Sequence, residues 1–368
     1  MKHQITLVGG QLLPIYVGIK EYGPDKVHFI VSNESIGSLA NLKPLIKEIT
    51  ATEHKCNPYD FYQIKAICES IILKLNTDDE ITFNLTGGTK IMVLACQAII
   101  HEKELSGFYI NQDDTLLELP KYSKKDIITK LTIQEFFDLS GHHLFKTNTL
   151  DDFSEDDIKA ASSIESFTNN DKRYSVITNH FRKKYNNKIR LKGKEGLSHS
   201  SEIIWDTNSI KVNANNKNVF SINSKICNNL FFNSAWWELL VAKAISKWDK
   251  LEELIINCEL PFKTDTQTTK NEIDILLNTG KKLIFIECKS GNVKQEDINK
   301  MKVIKQTYGG VISKSILVSR YLPSTTILEK CKELDIEVFY CYAFQNRQVN
   351  PLTKLIDRLN QLNKRIAI

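Results

Sequence analysis

Long apolar runs are missing from this 368-residue chain, and so is any large excess of one charge. The longest apolar stretch, residues 91–100, has about half the length a helix needs to cross a bilayer, so no membrane span is expected. The apolar residues 4–9 are too few for a secretory leader and run straight into Gly9-Gly10-Gln11 and Pro14, so none is expected. Forty-nine Lys and Arg against 44 Asp and Glu leave a formal charge of +5. That is too mild to imply nucleic acid without a site to support it. The 8 cysteines lack paired spacing, and Cys96, Cys258 and Cys288 sit inside apolar segments. This excludes a disulfide framework and predicts buried free thiols in a reducing cytoplasm. No Cys and His quartet has zinc spacing, which excludes a structural zinc.

What is present reads as two ordered regions and a connector. The length exceeds one ordinary core. Apolar strands at 4–9, 26–32 and 80–85 alternate with helical patterns at 38–46, 60–75 and 90–102. A hairpin then crosses Asn111-Gln112-Asp113-Asp114. Such alternation predicts a parallel sheet with helices on both faces over residues 1–146. Residues 147–228 are rich in Asp, Asn, Lys and Ser, with clusters at Asn186-Asn187-Lys188 and Asn215-Asn216-Lys217. They predict a connector with a small helical piece at 175–185. Order returns over 229–368: an amphipathic helix at 233–247, then strands at 272–277 and 282–288 joined by the turn sequence Asn278-Thr279-Gly280-Lys281. A helix at 295–307, a strand at 315–319, a helix at 325–334 and a strand at 337–341 complete a compact α/β domain.

The C-terminal hairpin carries the first candidate site. Phosphodiester cleavage needs a nucleophilic water and neutralised phosphate charge, and a hard divalent cation held by carboxylates supplies both. Asp274 lies on the first hairpin strand, and Glu287 and Lys289 on the second. Side chains alternate along a strand, so Glu287 and Lys289 share a face that Asp274 can reach. The Cys288 carbonyl is a further candidate ligand, and Lys289 is placed to orient or deprotonate a water. Glu287 and Lys289 interrupt the very apolar run Leu283-Ile284-Phe285-Ile286, where burying charge is costly without a partner. Glu238, on the 233–247 helix, is a further carboxylate; Glu272 matches Asp274 in parity but lies nearer the strand end.

These residues, Asn271-Glu272-Ile273-Asp274 and Ile286-Glu287-Cys288-Lys289, resemble the PD-(D/E)xK restriction-endonuclease-like superfamily. The resemblance implies Asp274 and Glu287 as metal ligands, Lys289 at the attacking water, and Glu238 as the helix-borne acid many members add. The superfamily's Pro-Asp dipeptide is absent, because Ile273 precedes Asp274.

A second site is expected on the N-terminal sheet. Asn84-Leu85-Thr86-Gly87-Gly88-Thr89-Lys90 joins a buried strand to an apolar helix. Glycines allow close approach, helix N-terminal amides favour anions, and Thr86, Thr89 and Lys90 add donors and charge. The spacing is neither a Walker A loop nor a dinucleotide fingerprint. Gly9-Gly10-Gln11 and Ser32-Asn33 follow the first two strands and should open on the same edge, where open α/β sheets bind ligands. The Asn84–Lys90 string resembles the signature of CARF domains, Rossmann-like sensors of cyclic oligoadenylates in type III CRISPR defence.

With a PD-(D/E)xK domain downstream, the whole resembles the CARF-containing CRISPR ancillary nucleases of Can or Card type. That implies a Rossmann-like CARF domain joined by a connector to a restriction-endonuclease-like α/β domain. It further implies a homodimer, cyclic tetra-adenylate as allosteric activator, Mn²⁺ or Mg²⁺, and single-stranded RNA and DNA as substrates, extending to nicked duplex DNA. Two alternatives stay open. One is a ring nuclease degrading the cyclic oligoadenylate, although no His or clear general base marks the loops. The other is a non-catalytic ligand-sensing regulator that binds nucleic acid, which predicts substituted metal ligands.

Overall fold

In the computed structural model, residues 1–185, 190–197, 201–262, 268–309, 312–343 and 347–364 are described. The Asn186-Asn187-Lys188 cluster lies outside them. Apolar strands with short connections build the first sheet: β1 (Lys2–Leu7), β2 (Lys26–Val31), β3 (Thr50–Lys55), β4 (Glu80–Asn84), β5 (Ser106–Ile110), β6 (Thr115–Leu119) and β7 (Ser123–Asp126). Their order is β3-β2-β1-β4-β5-β6-β7. The first five are parallel, and β6 and β7 fold back antiparallel. Because β4 lies beside β1, chain order reverses there and the loops after β1 and β4 become neighbours, the usual ligand crevice of such a sheet. Helices Leu13–Tyr22, Phe61–Ile72 and Lys90–Glu102 cover it.

The middle region is more ordered than its composition suggests. After the short β8 (Lys146–Asn148), helices Glu155–Asn170 and Arg173–Tyr185 pack with a four-stranded antiparallel sheet. Its strands are β9 (Gly193–Leu197), β10 (Ser201–Trp205), β11 (Ser209–Ala214) and β12 (Lys217–Asn223). Only one face is buried, by Ile203, Trp205, Ile210, Val212, Phe220 and Ile222, so apolar residues are too sparse to signal strands. The polar pair Asn215-Asn216 is the turn between β11 and β12. Both residues have positive φ, 49° and 59°, which Asn tolerates in a tight hairpin.

The C-terminal sheet has the order β17-β16-β15-β14-β13-β8. It comprises β13 (Glu253–Pro261), β14 (Thr269–Asn278), β15 (Leu283–Lys289), β16 (Lys314–Tyr321) and β17 (Glu337–Tyr342). β13, β14 and β15 run antiparallel, and β15, β16 and β17 parallel. One face, with Ile275, Leu277, Ile284 and Ile286, packs on helix Ala235–Ile245. On the other face Leu276 and Phe285 share a core with Phe136 and Phe137 of helix Ile133–Leu139 and with Ile15 of the first domain. Each large side chain buried there contributes about 1.5–3 kcal/mol, so the two domains are bonded through core rather than tethered. All eight cysteines are free and buried. Among the described residues no helix is long and apolar enough to cross a membrane.

Candidate functional site

The hairpin register sets the acidic centre. Ile275 pairs with Ile286, which leaves Asp274 and Glu287 facing each other just beyond the last paired residues. Both carboxylates are buried, at 9% and 4% exposure. Asp274 Oδ2 accepts a 2.7 Å hydrogen bond from the Cys288 amide. Burial, and then the nearby Glu287 charge, push the Asp274 carboxyl up to about 7, against the opposing pull of that amide, Lys289 and Lys300.

Lys289 Nζ stands 2.6 Å from Glu287 Oε1 and 3.2 Å from Asp297 Oδ1, while Lys300 Nζ is 3.7 Å from Glu287 Oε2. Burial opposes the Lys289 charge, yet Glu287, Asp274 and Asp297 together hold it above the ordinary lysine range. Asp297 and Lys300 belong to helix Gln295–Ile304 and escaped the sequence reading. The signal available was Asp297 in the helix's first turn. There its Oδ2 accepts from the Lys294 amide at 2.8 Å and leaves Oδ1 for Lys289.

Glu238 comes from the other side. Ile284, Ile286 and Cys288 face the core shared with Trp237, so alternation turns Glu287 and Lys289 towards helix Gln295–Ile304. Glu238, in the first turn of helix Ala235–Ile245, is half-buried and makes no hydrogen bond or ion pair with the trio among the described residues. It feels them through space: burial first, then the charges of Asp274, Glu272 and Glu287 hold its carboxyl well above the usual range. Cys288 points its thiol into the core, where burial and the surrounding acids push it far up. Glu272 is exposed and paired across the sheet with Glu259.

Among the described residues no three His, Cys, Asp or Glu side chains are disposed to hold a metal ion. The donor chemistry nevertheless fits a hard divalent cation. Asp274 and Glu287 are oxygen donors whose mutual repulsion is now relieved by the ammonium groups of Lys289 and Lys300.

At the first domain's crevice two loops touch backbone to backbone. A Cβ on Gly87 would lie 2.1 Å from the Leu7 carbonyl oxygen, and one on Gly9 would lie 2.8 Å from the Gly88 amide. Only glycine permits this approach. Gly9, Gly10, Gln11, Thr86, Gly87 and Gly88 line a cavity of about 450 Å³. Asn84 lies beneath it, fully buried; its Oδ1 accepts from the Thr86 amide at 3.0 Å and its Nδ2 reaches Pro14 O at 3.5 Å. Thr89 and Lys90 are not in the lining: Thr89 caps helix Lys90–Glu102 and donates to the Pro58 carbonyl, and Lys90 is exposed. The second loop is set apart. Ser32 is buried in a turn with Ser35, and Asn33 lines a separate depression with Lys55 and Asn57. Sequence patterns missed the cavity's other wall, because it comes from the nuclease-side sheet: Gly280 and Lys281, with Gln306–Gly309 at the end of the helix that bears Asp297.

Fold and geometry define a class: a Rossmann-like domain with a crevice lined by glycine loops, packed on an α/β domain with a buried acid–lysine centre. Family models locate both parts, the Card1 CARF domain at residues 4–136 and the Card1-like endonuclease domain at 227–340. The chain belongs to the Card1-like CARF endonucleases. Among solved structures it is similar to Can2 from Sulfobacillus thermosulfidooxidans in complex with cyclic tetra-adenylate, with TM-score 0.71, 17% identity and 99% of each chain covered. It is also similar to protein VC1899 from Vibrio cholerae, with TM-score 0.74, 13% identity and 99% and 98% of the chains covered. A third is a type III CRISPR defence DNA nuclease activated by cyclic oligoadenylate, with TM-score 0.58 and 14% identity, of which this chain covers 51%. At such identities the likeness is one of fold. No curated protein sequence matches the chain.

Proposed function

We propose that this chain is a metal-dependent nuclease of type III CRISPR defence, switched on by a cyclic oligoadenylate, with cyclic tetra-adenylate as the activator. One observation carries the reading: a single cavity is walled by the glycine loops of the CARF domain and by the turn of the very hairpin that bears Asp274, Glu287 and Lys289. A ligand there touches both the sensor and the catalytic sheet. Activation requires that it bind the active arrangement more tightly than the resting one. In this reading Gly9, Gly10, Gln11, Thr86, Gly87 and Gly88 contact the ring, with Asn84 and Thr89 holding the loop. Ser32, Asn33 and Lys90 serve a larger ligand surface formed across a homodimer.

At the acidic centre, Asp274 and Glu287, with the Cys288 carbonyl and Glu238, would hold Mn²⁺ or Mg²⁺. When bound, the cation supplies an activated water and neutralises phosphate charge. Lys289, held by Asp297 at 3.2 Å, would supply the positive charge that orients the water and balances the scissile phosphate. In the resting arrangement that same ammonium is engaged by Glu287, so the centre is charge-balanced without a substrate. Single-stranded RNA and DNA are the proposed substrates, extending to nicked duplex DNA, in the cytoplasm.

The test is direct. Fluorescent single-stranded RNA and DNA, and supercoiled plasmid, are incubated with Mn²⁺ or Mg²⁺ and a panel of ring sizes. Cleavage that needs both metal and one ring size is expected. Cleavage indifferent to every ring removes the sensor, and loss of the ring to linear products without substrate cleavage makes the chain a ring nuclease instead.

A further inference from the structure

The cavity between the two domains is lined by one cation, and the CARF domain does not supply it. Among the described lining residues Lys281 is the only Lys, Arg or His. It stands in the turn between β14 and β15, half-buried, with no carboxylate partner among the described residues. The acid in the same lining, Asp114, is already neutralised: its Oδ2 lies 3.0 Å from the Nζ of Lys282, the buried neighbour of Lys281. Adjacent lysines in one turn therefore have different surroundings. Lys282 latches the turn to the β5–β6 loop of the CARF domain, and Lys281 is left beside the cavity.

The turn is held by more than that latch. The Leu131 amide donates to the Gly280 carbonyl at 2.7 Å, and Asn278 Nδ2 donates to the Leu131 carbonyl at 2.5 Å. Asn278, fully buried, also accepts the Gly280 amide through Oδ1 at 2.7 Å. These bonds hold the turn against the CARF domain, with Gly9-Gly10 and Gly87-Gly88 on the far wall.

We propose that Lys281 is the phosphate-anchoring residue of this cavity, so that an anionic ligand is gripped partly by the catalytic hairpin itself. The inference rests on the proposed function, in which a phosphodiester ring occupies the cavity. A phosphodiester stays anionic throughout the working pH range. Glycine-loop amides give it directional donors but only partial charge. A single ammonium in a part-shielded cavity supplies the missing whole charge. Lys281 and Glu287 are six residues apart across the start of one strand, roughly 20 Å at strand spacing. A ligand that draws Lys281 therefore pulls directly on the element carrying the acidic centre. This is the state-dependent contact that ligand-driven switching demands.

The full-length protein tests it, with binding of cyclic tetra-adenylate measured by calorimetry and ring-stimulated cleavage measured in parallel. Lys281→Met and Lys281→Gln should each weaken ring binding by about tenfold or more, the loss expected when one partner of a charged contact is removed. Their cleavage curves should shift to higher ring concentration by the same factor, and Lys281→Arg should restore most of both. Thermal melts identify any variant that misfolds, and the remaining ones carry the comparison. Wild-type affinity in folded Met and Gln variants overturns the assignment while leaving the proposed function intact. A wild-type protein that binds no ring of any size overturns both.

Discussion

Glu287 is gripped from two sides, by Lys289 at 2.6 Å and by Lys300 at 3.7 Å, and Asp297 takes a second hold on Lys289. A carboxylate so deep in the sheet needs such partners, because an isolated buried charge costs several kcal/mol. The same residues then divide by role. Glu287→Ala and Lys289→Ala should abolish metal-dependent cleavage, a fall on the order of 10²–10⁴-fold or beyond, with ring binding unchanged. Asp297→Asn should lower the rate less, because it loosens the ammonium without removing it. Single-turnover cleavage alongside ring calorimetry checks all three. Full cleavage by either alanine variant would sink the assignment. Of this centre, Asp274, Glu287 and Lys289 were legible in the sequence, as charges interrupting an apolar strand pair. Asp297 and Lys300 were not, since nothing in their helix's spacing says which strand it will cover.

At the scale of elements, three histidines form a row across the first sheet. His3 Nδ1 lies 3.1 Å from His28 Nε2, and Thr52 Oγ1 bridges His28 Nδ1 at 2.9 Å and His54 Nε2 at 3.2 Å. Burial first, then the charges of His3, His54 and Lys26, hold His28 down to about 4 from its ordinary 6.5. The unfolded chain therefore binds the extra proton between those values. Stability from this site is whole above pH 6.5 and is lost as pH falls towards 4, by roughly 3 kcal/mol at the limit. Melting temperatures of wild type and His28→Gln, compared from pH 7.5 to 4.5, should converge as pH drops. Parallel curves would remove His28 as the cause. The four-stranded sheet of the middle region shows the other side of legibility. Its strands bury one face only and turn at Asn215-Asn216, so a segment that reads as polar connector folds as a hairpin stack.

At the scale of the whole molecule, a shared core and a latch join the CARF domain to the sheet of the endonuclease domain. Phe285 and Leu276 pack with helix Ile133–Leu139, and Lys282 reaches Asp114 across the boundary. Asp114→Asn should weaken the latch while leaving the cavity lined by Lys281. Ring binding should survive within a few-fold, but the ring should raise the cleavage rate less than in the wild type. Combined with Lys282→Met, its effect on ring stimulation should be strongly non-additive, because both remove the Lys282–Asp114 pair, Lys282→Met also taking away the 3.0 Å bond to the Asn363 carbonyl. Additive losses would show that the pair carries no coupling.

Two local patterns are written in the residues alone. Alternating strands and helices with a Gly87-Gly88 break specify a parallel sheet with a glycine-lined edge, and charged residues inside apolar strands specify a buried polar centre. Both are local patterns, written within a few turns of chain. Only the tertiary structure decided how they meet. It left Lys90 and Asn33 outside the cavity, brought Lys281 and Gln306 into it, and set Asp297 and Lys300 on the acidic centre. These are contacts between elements distant in sequence, fixed by which hydrophobic faces share a core.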